Sequence, residues 1–230
     1  MNLLWFILFT IIIFLATLIG YKKYFSTCLY ALAIGGVVNS NFFTSLSHGI
    51  DIFGYEFGID SIIYTLFIFC VILMFLRFDK KQAYILSISS CIAIALSGLL
   101  EFLANVLSGN YSSEVLYKFI AFIFSSLASI IAIILMIDIL SKLTKKKLIR
   151  NEYLLTIIGI FIATVVNSTL YYQLAGFILY NHSLAEISEH IITSIIGKSI
   201  ALLAALFSLF IIRVVDKRFF ASKESVDREN

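Results

Sequence analysis

The chain has 230 residues, of which 61% are hydrophobic and 13% charged, and its mean hydropathy is +1.02. This composition excludes a soluble globular domain, because such a domain carries about 25% charged residues to keep its surface in water. The formal net charge of +3 is small and arises from short basic loops, so it does not indicate a protein that binds nucleic acid.

Seven apolar segments are long enough to cross a bilayer, which takes about 20 residues. In chain order they are residues 2–20, 27–47, 61–77, 83–107, 115–140, 153–180 and 190–214. The first segment lacks the basic region and the small-residue cleavage site of a signal peptide, so we expect a retained helix. The sequence therefore predicts an all-α integral membrane protein with about seven transmembrane helices. Residues 1–220 form its single transmembrane domain and residues 221–230 a short cytoplasmic tail.

The basic residues indicate how these helices are oriented. Fifteen of the 17 Lys and Arg residues follow the first, third, fifth and seventh segments, whereas acidic residues predominate in the other loops. Cytoplasmic loops of membrane proteins are enriched in Lys and Arg. We therefore expect the N-terminus outside the cell and the C-terminus in the cytoplasm.

Two basic residues, Lys118 and Lys198, depart from this pattern. Lys118 lies near the outer end of its helix and is expected to reach the interface or to pair with Glu114 one turn earlier. Lys198 lies about 12 Å below the outer end of the seventh segment, at about 1.5 Å per residue. A charge at that depth costs at least about 2.5 kcal/mol, so Lys198 should face the bundle interior and have a partner. The partner is either a substrate or another helix.

Polar residues of three other segments lie near the depth of Lys198. A single amide in the membrane often only bridges helices and contributes about 0.6 kcal/mol, so their shared level is the stronger signal. The pattern predicts a polar pocket open to the outside, with aromatic rings as stacking faces. The predicted substrate-binding residues are Asn39, Asn41, Tyr64, Glu101, Asn167, Gln173 and Lys198.

Several motifs resemble those of one bacterial transporter family. The sequence "GGVVNSNFF" leads into the outer loop "GIDIFGYEFGID", and the following helix ends at the basic turn "FDKKQA". "NSTLYYQLAGF" in the sixth segment and Lys198 in the seventh continue the similarity. Together these motifs resemble the vitamin and queuosine-precursor uptake family of bacterial inner-membrane proteins.

The resemblance implies a transporter that imports a 7-deazaguanine precursor of queuosine (preQ0 or preQ1). It also implies a six-helix core similar to the substrate-binding components of energy-coupling-factor transporters, preceded here by an N-terminal helix. Relatives typically carry aspartates in the third and sixth helices and one turn before the lysine of the seventh. This chain has Ser168 at the second of these places and keeps the lysine, so its pocket should be neutral or net positive, and Glu101 could balance one charge.

Other functions remain open from the sequence. His48, His182 and His190, with Glu186 and Glu189, lie near the outer surface and are residue types that bind divalent metals, but they lack a tight ligand spacing. A membrane enzyme is disfavoured because the chain has no catalytic triad or metalloprotease motif. A regulatory membrane subunit without a substrate is the third alternative. The sequence has no ATP-binding motif, so uptake would depend on an ion gradient or on a partner ATPase module, and no cofactor is indicated.

Overall fold

The computed structural model describes residues 3–46, 50–52, 55–57, 60–149 and 151–215. Seven helices are present in this part of the chain: α1 (Leu3–Tyr24), α2 (Ser26–Leu46), α3 (Asp60–Arg77), α4 (Lys80–Leu107), α5 (Ser113–Lys145), α6 (Glu152–Ala175) and α7 (Leu184–Val215). Six of them have the length and apolar composition needed to cross a membrane, and α2 contributes the shorter apolar stretch Ser26–Gly36. The protein is thus a multi-pass, all-α membrane protein, which confirms the predicted fold class.

The helix ends differ from the predicted ends where polar side chains cap them. α4 begins at Lys80 because Asp79 accepts a hydrogen bond from the Gln82 backbone N–H at 2.6 Å. α7 begins at Leu184 and not near residue 190, because Ser183 and Glu186 cap its first turn. The Ser183 hydroxyl accepts from the Glu186 backbone N–H at 3.3 Å, and the Glu186 carboxylate accepts from the Ser183 backbone N–H at 2.7 Å. Lys198 is therefore the fifteenth residue of a 32-residue helix, close to its middle.

Two short segments outside the α-helices were not predicted. The connection between α2 and α3 contains an antiparallel pair of strands, β1 (Ile50–Ile52) and β2 (Tyr55–Phe57), in a region that the sequence predicted as a loop. The predicted helix 153–180 is an α-helix only to Ala175, after which Gly176–Tyr180 form a π-helical turn. Asn181, with φ of 50°, then ends the helix and directs the chain into α7.

α3 is the central helix of the bundle. It packs against α2, α4, α6 and α7, and every side chain from Thr65 to Met74 is buried. A helix that is apolar on all sides is stable in such a position, because other helices cover its whole circumference. α1 packs against α2 and α7, and α5 packs against α4 and α6.

Ion pairs join the helices at the end of the bundle where the basic loops lie. Arg77 of α3 contacts Glu152 of α6 at 2.7 Å. Lys80 of α4 contacts Asp138 of α5 at 2.6 Å, and the Tyr84 hydroxyl donates to the same carboxylate at 2.9 Å. These pairs hold the ends of neighbouring helices together.

At the opposite end of the bundle, Lys118 lies 3.8 Å from Glu114, as the sequence predicted.

Candidate functional site

A cavity of about 460 Å³ lies among α3, α4, α5, α6 and α7, towards the end of the bundle where α3 and α7 begin and α4 ends. Its walls carry charged, hydroxyl, amide and aromatic side chains. The lining residues are Asp60, Ile63, Tyr64, Phe67, Ile94, Glu101, Lys118, Ala121, Phe122, Ser125, Ser129, Asn167, Tyr171, Tyr172, Tyr180, Ser194 and Lys198. The volume lies within the range of about 300–1,000 Å³ that is usual for small-molecule sites.

Lys198 is held at the buried end of this cavity, with only 5% of its surface exposed. Its ammonium group donates to Asn167 Oδ1 at 3.2 Å and to Ser168 Oγ at 3.0 Å. The nitrogen also lies 4.4 Å from the centroid of the Tyr64 ring, a distance at which the ring face attracts a cation. The ammonium has three N–H donors, and among the described residues Asn167 and Ser168 accept from two of them, so one donor is left.

Further hydrogen bonds fix the groups that hold Lys198. Asn167 Nδ2 donates to Ser129 Oγ of α5 at 3.1 Å, and the Ser168 and Ser194 hydroxyls bond each other at 3.0 Å. The Tyr64 hydroxyl donates to the Ala163 carbonyl of α6 at 3.2 Å. The buried end is therefore a connected polar network that joins four helices, and it holds Lys198 in one position.

The cavity also contains charges that do not contact Lys198. Asp60 and Glu101 line it, yet across the described residues neither carboxylate lies within 4.0 Å of a Lys or Arg nitrogen. Lys198 has no carboxylate partner in that part of the chain either. A buried lysine held by neutral groups keeps its attraction for an electron-rich group that enters the cavity.

The structure brings three of the predicted residues into direct contact, namely Tyr64, Asn167 and Lys198. Glu101 lines the same cavity, but its side chain is exposed and does not reach Lys198, so it does not balance that charge by direct contact. Its depth along α4 suggested this role, but Glu101 lies at the exposed rim of the cavity.

Gln173 does not line the cavity, which corrects the prediction from its depth. It is exposed, whereas Tyr171 and Tyr172 of the same helix line the cavity. Each residue turns an α-helix by about 100°, so a residue at a suitable depth can still point outwards. The side chains of Asn39 and Asn41 lie outside the described part of the structure.

Asp60 and the serines of the network were not among the predicted site residues. Ser125 and Ser129 lie four residues apart on α5, and Ser168 and Ser194 bond each other between α6 and α7. Small hydroxyl residues are common in membrane helices, where they often bond their own backbone. The sequence signals that pointed to them were the four-residue spacing of Ser125 and Ser129 on α5 and the position of Ser168 next to Asn167.

A second cavity, of about 200 Å³, lies beside the first at the start of α7. The two share the rings of Tyr171, Tyr172 and Tyr180. His190 stacks on Tyr172 with ring centroids 5.6 Å apart, and His182 stacks on His190 at 5.3 Å. Across the described residues, no three His, Cys, Asp or Glu side chains are grouped as a metal ion would require.

Fold and cavity together define a polytopic helical membrane protein with a partly buried, polar cavity. Comparisons with protein-family models, curated proteins and solved structures found no match. The resemblance to the vitamin and queuosine-precursor uptake family therefore stays a prediction from the sequence motifs.

Proposed function

We propose that the protein imports a small polar aromatic nutrient, a 7-deazaguanine precursor of queuosine, across the bacterial inner membrane. The observation that carries the proposal is the cavity of about 460 Å³ in which a buried ammonium and an amide lie beside aromatic rings. The resemblance of the sequence motifs to a queuosine-precursor uptake family supports the same substrate class.

The groups in the cavity match the chemistry of such a substrate. A 7-deazaguanine is a flat bicyclic ring whose carbonyl oxygen and N3 accept hydrogen bonds, whereas its N1–H and exocyclic amine donate them. Lys198 supplies only hydrogen-bond donors, which suits those acceptors, and Asn167 supplies both a donor and an acceptor. The rings of Tyr64, Tyr171 and Tyr172 offer apolar faces for stacking on the bicycle.

The position of the cavity suits uptake from outside the cell. The positive-inside rule applied to the basic loops puts α3's start, α4's end and α7's start on the outer side, and the cavity lies at that end of the bundle. A substrate would bind there first, and release to the cytoplasm would need a rearrangement driven by an ion gradient or by a partner ATPase module.

The test is uptake in a bacterial strain that needs queuosine precursors from the medium and lacks its own importer. Expression of this protein should restore queuosine in tRNA at low precursor concentration. Normal expression in the membrane without any restoration would contradict the proposed substrate.

Asn167 and Gln173 offer a matched pair of variants for this assay. Asn167→Leu removes an amide that contacts Lys198 and should abolish uptake at low precursor concentration. Gln173→Leu removes an exposed amide of the same helix, outside the cavity, and should leave uptake unchanged. Equal effects of the two changes would argue against this cavity as the substrate site.

A further inference from the structure

The charged side chains that line the large cavity do not balance one another. Among the described residues they are Asp60, Glu101, Lys118 and Lys198. Lys118 pairs at the rim with Glu114, which lies 3.8 Å away and does not line the cavity. Lys198 is then accompanied by two carboxylates, so the cavity has an excess of one negative charge when all three groups are ionised. The neutral or net positive pocket expected from the sequence did not include Asp60.

Asp60 lies one helical turn closer to the rim than the groups that hold Lys198. It precedes Tyr64 by four residues, so both side chains lie on the same face of α3, about 6 Å apart along the helix axis. Tyr171 follows Asn167 by four residues on α6, in the same direction. The Asp60 carboxylate is near enough to the Tyr171 hydroxyl and to the Lys198 ammonium to act on both electrostatically. The cavity therefore has a cation at its buried end and an anion one turn above it.

The Asp60 carboxylate is available to a ligand. It is half-buried, and in the described part of the chain no Lys or Arg nitrogen lies within 4.0 Å of it. It also acts electrostatically on Tyr171 and Tyr172, whose rings meet edge to face with centroids 5.1 Å apart and line the same cavity. A carboxylate supplies charge and acceptors to an organic ammonium group, and aromatic rings supply surface that attracts a cation. Glu101 is exposed at the rim, where water screens its charge.

We infer that Asp60 binds a protonated amine of the transported molecule while Lys198 binds an acceptor on its opposite edge. The substrate class is then an aromatic heterocycle with an aminoalkyl substituent. This inference rests on the proposed function, and within it selects the aminomethyl compound preQ1 over preQ0, whose nitrile carries no charge.

The shape of preQ1 suits this pair of charges. Its aminomethyl group lies on the opposite edge of the bicycle from N3, so a ring whose N3 accepts from Lys198 directs its amine towards the rim, where Asp60 lies. A primary alkyl amine is protonated at neutral pH. Without Asp60, the amine would be repelled by Lys198 and would lack a nearby counter-charge, so Asp60 determines the selectivity.

Calorimetric Kd values of the purified protein for preQ1 and preQ0 test the inference. The unchanged protein should bind preQ1 more tightly. Asp60→Asn should weaken preQ1 by about 10- to 150-fold, the effect of losing a charge-assisted hydrogen bond, and change the Kd of preQ0 by less than about threefold. Asparagine has nearly the volume of aspartate and is also favourable at the start of a helix, so the variant should fold.

Asp138→Asn is the matched control. It makes the same chemical change in a carboxylate that pairs with Lys80 and does not line the cavity, so both Kd values should stay as they are. Equal weakening of preQ1 and preQ0 in Asp60→Asn would show a structural role for Asp60 and overturn the inference, as would an unchanged Kd of preQ1. Equal affinities of the unchanged protein for the two compounds would overturn it even if the variant does not fold.

Failure of the proposed function has a different signature, because neither deazapurine would then bind. In that case benzylamine and benzyl alcohol, which have similar shapes but differ in charge, serve as probes. A cysteine replaces Ser125, which lines the cavity, in a background in which the three native cysteines are alanine, and its labelling by a thiol reagent is measured. Slower labelling with benzylamine than with benzyl alcohol, lost in Asp60→Asn, would support the ammonium site for another substrate. Equal labelling with the two probes would overturn it.

Discussion

Replacing Lys198 with methionine tests whether the lysine binds a ligand or only joins helices. The ammonium group has three N–H donors, and two of them bond Asn167 and Ser168, which leaves one for a ligand. A hydrogen bond from a charged donor contributes about 1.5–3 kcal/mol. Its loss should weaken binding of a 7-deazaguanine by about 10- to 150-fold.

The same change should have little effect on folding. Asn167 Nδ2 keeps its hydrogen bond to Ser129 at 3.1 Å, and Ser168 keeps its bond to Ser194 at 3.0 Å; Asn167 Oδ1 loses the donor that Lys198 supplied. Methionine has nearly the length of lysine, and the cost of a charge in the membrane, at least about 2.5 kcal/mol, disappears. We therefore expect insertion, monodispersity in detergent and a Tm close to that of the unchanged protein.

Ligand-dependent thermal shifts and calorimetric Kd values of the two purified proteins provide the measurement. Lys118→Met is the control, because Lys118 lies at the exposed rim of the cavity and pairs with Glu114. It should retain most of the ligand-induced shift. An undiminished shift in Lys198→Met would refute the assignment of Lys198 to the ligand site, and a loss of folding would show that the lysine is structural.

Three further predictions follow from the fold. Cysteines that replace Ser108 and Thr144, at opposite ends of the bundle, should differ in their reaction with an impermeant thiol reagent on intact cells. The cysteine at position 108 should react and the one at position 144 should not; the reverse result would contradict the predicted orientation of the helices in the membrane. Asp138→Asn should leave the midpoint of chemical denaturation close to that of the unchanged protein, because Asp138 and Lys80 are each more than 40% exposed and solvent screens the pair. A large decrease in the midpoint would contradict this. Tyr64→Phe should cost about 1 kcal/mol of stability from its lost hydrogen bond yet keep ligand binding by calorimetry, since the ring below the ammonium remains.

The sequence predicted the fold well because few backbone structures are possible in a membrane. A run of about 20 apolar residues becomes a helix, since no water is available to bond its backbone groups. The helix ends were less well predicted, because they depend on caps such as Asp79 and the Ser183–Glu186 pair. The hairpin β1–β2 and the turn Gly176–Tyr180 have no periodic signal that would separate them from the flanking segments.

The site was only partly predictable, because depth along a helix does not give direction around it. The charge of Lys198 predicted that its side chain faces the bundle interior, since a lipid-facing charge in mid-membrane is costly. The side chain is indeed buried. Gln173 carries no charge, so its depth could not decide its side. Long-range pairs such as Lys80–Asp138, 58 positions apart, depend on helix packing and have no local signal.

The central position of α3 also bears on how the bundle is assembled during synthesis. Helices enter the bilayer in chain order, so α3 must stay in lipid before α4, α6 and α7 cover it, and its apolar surface on all sides allows this. Lys198 comes last, on α7, when Asn167 and Ser168 of α6 are already in the membrane. These two side chains are therefore available to bond the lysine when α7 inserts. A chain that ended after α6 would lack the lysine, and the polar groups of Asn167 and Ser168 would face lipid. Crosslinking of ribosome-stalled chains to translocon and lipid probes would show whether α6 is shielded from lipid until α7 emerges.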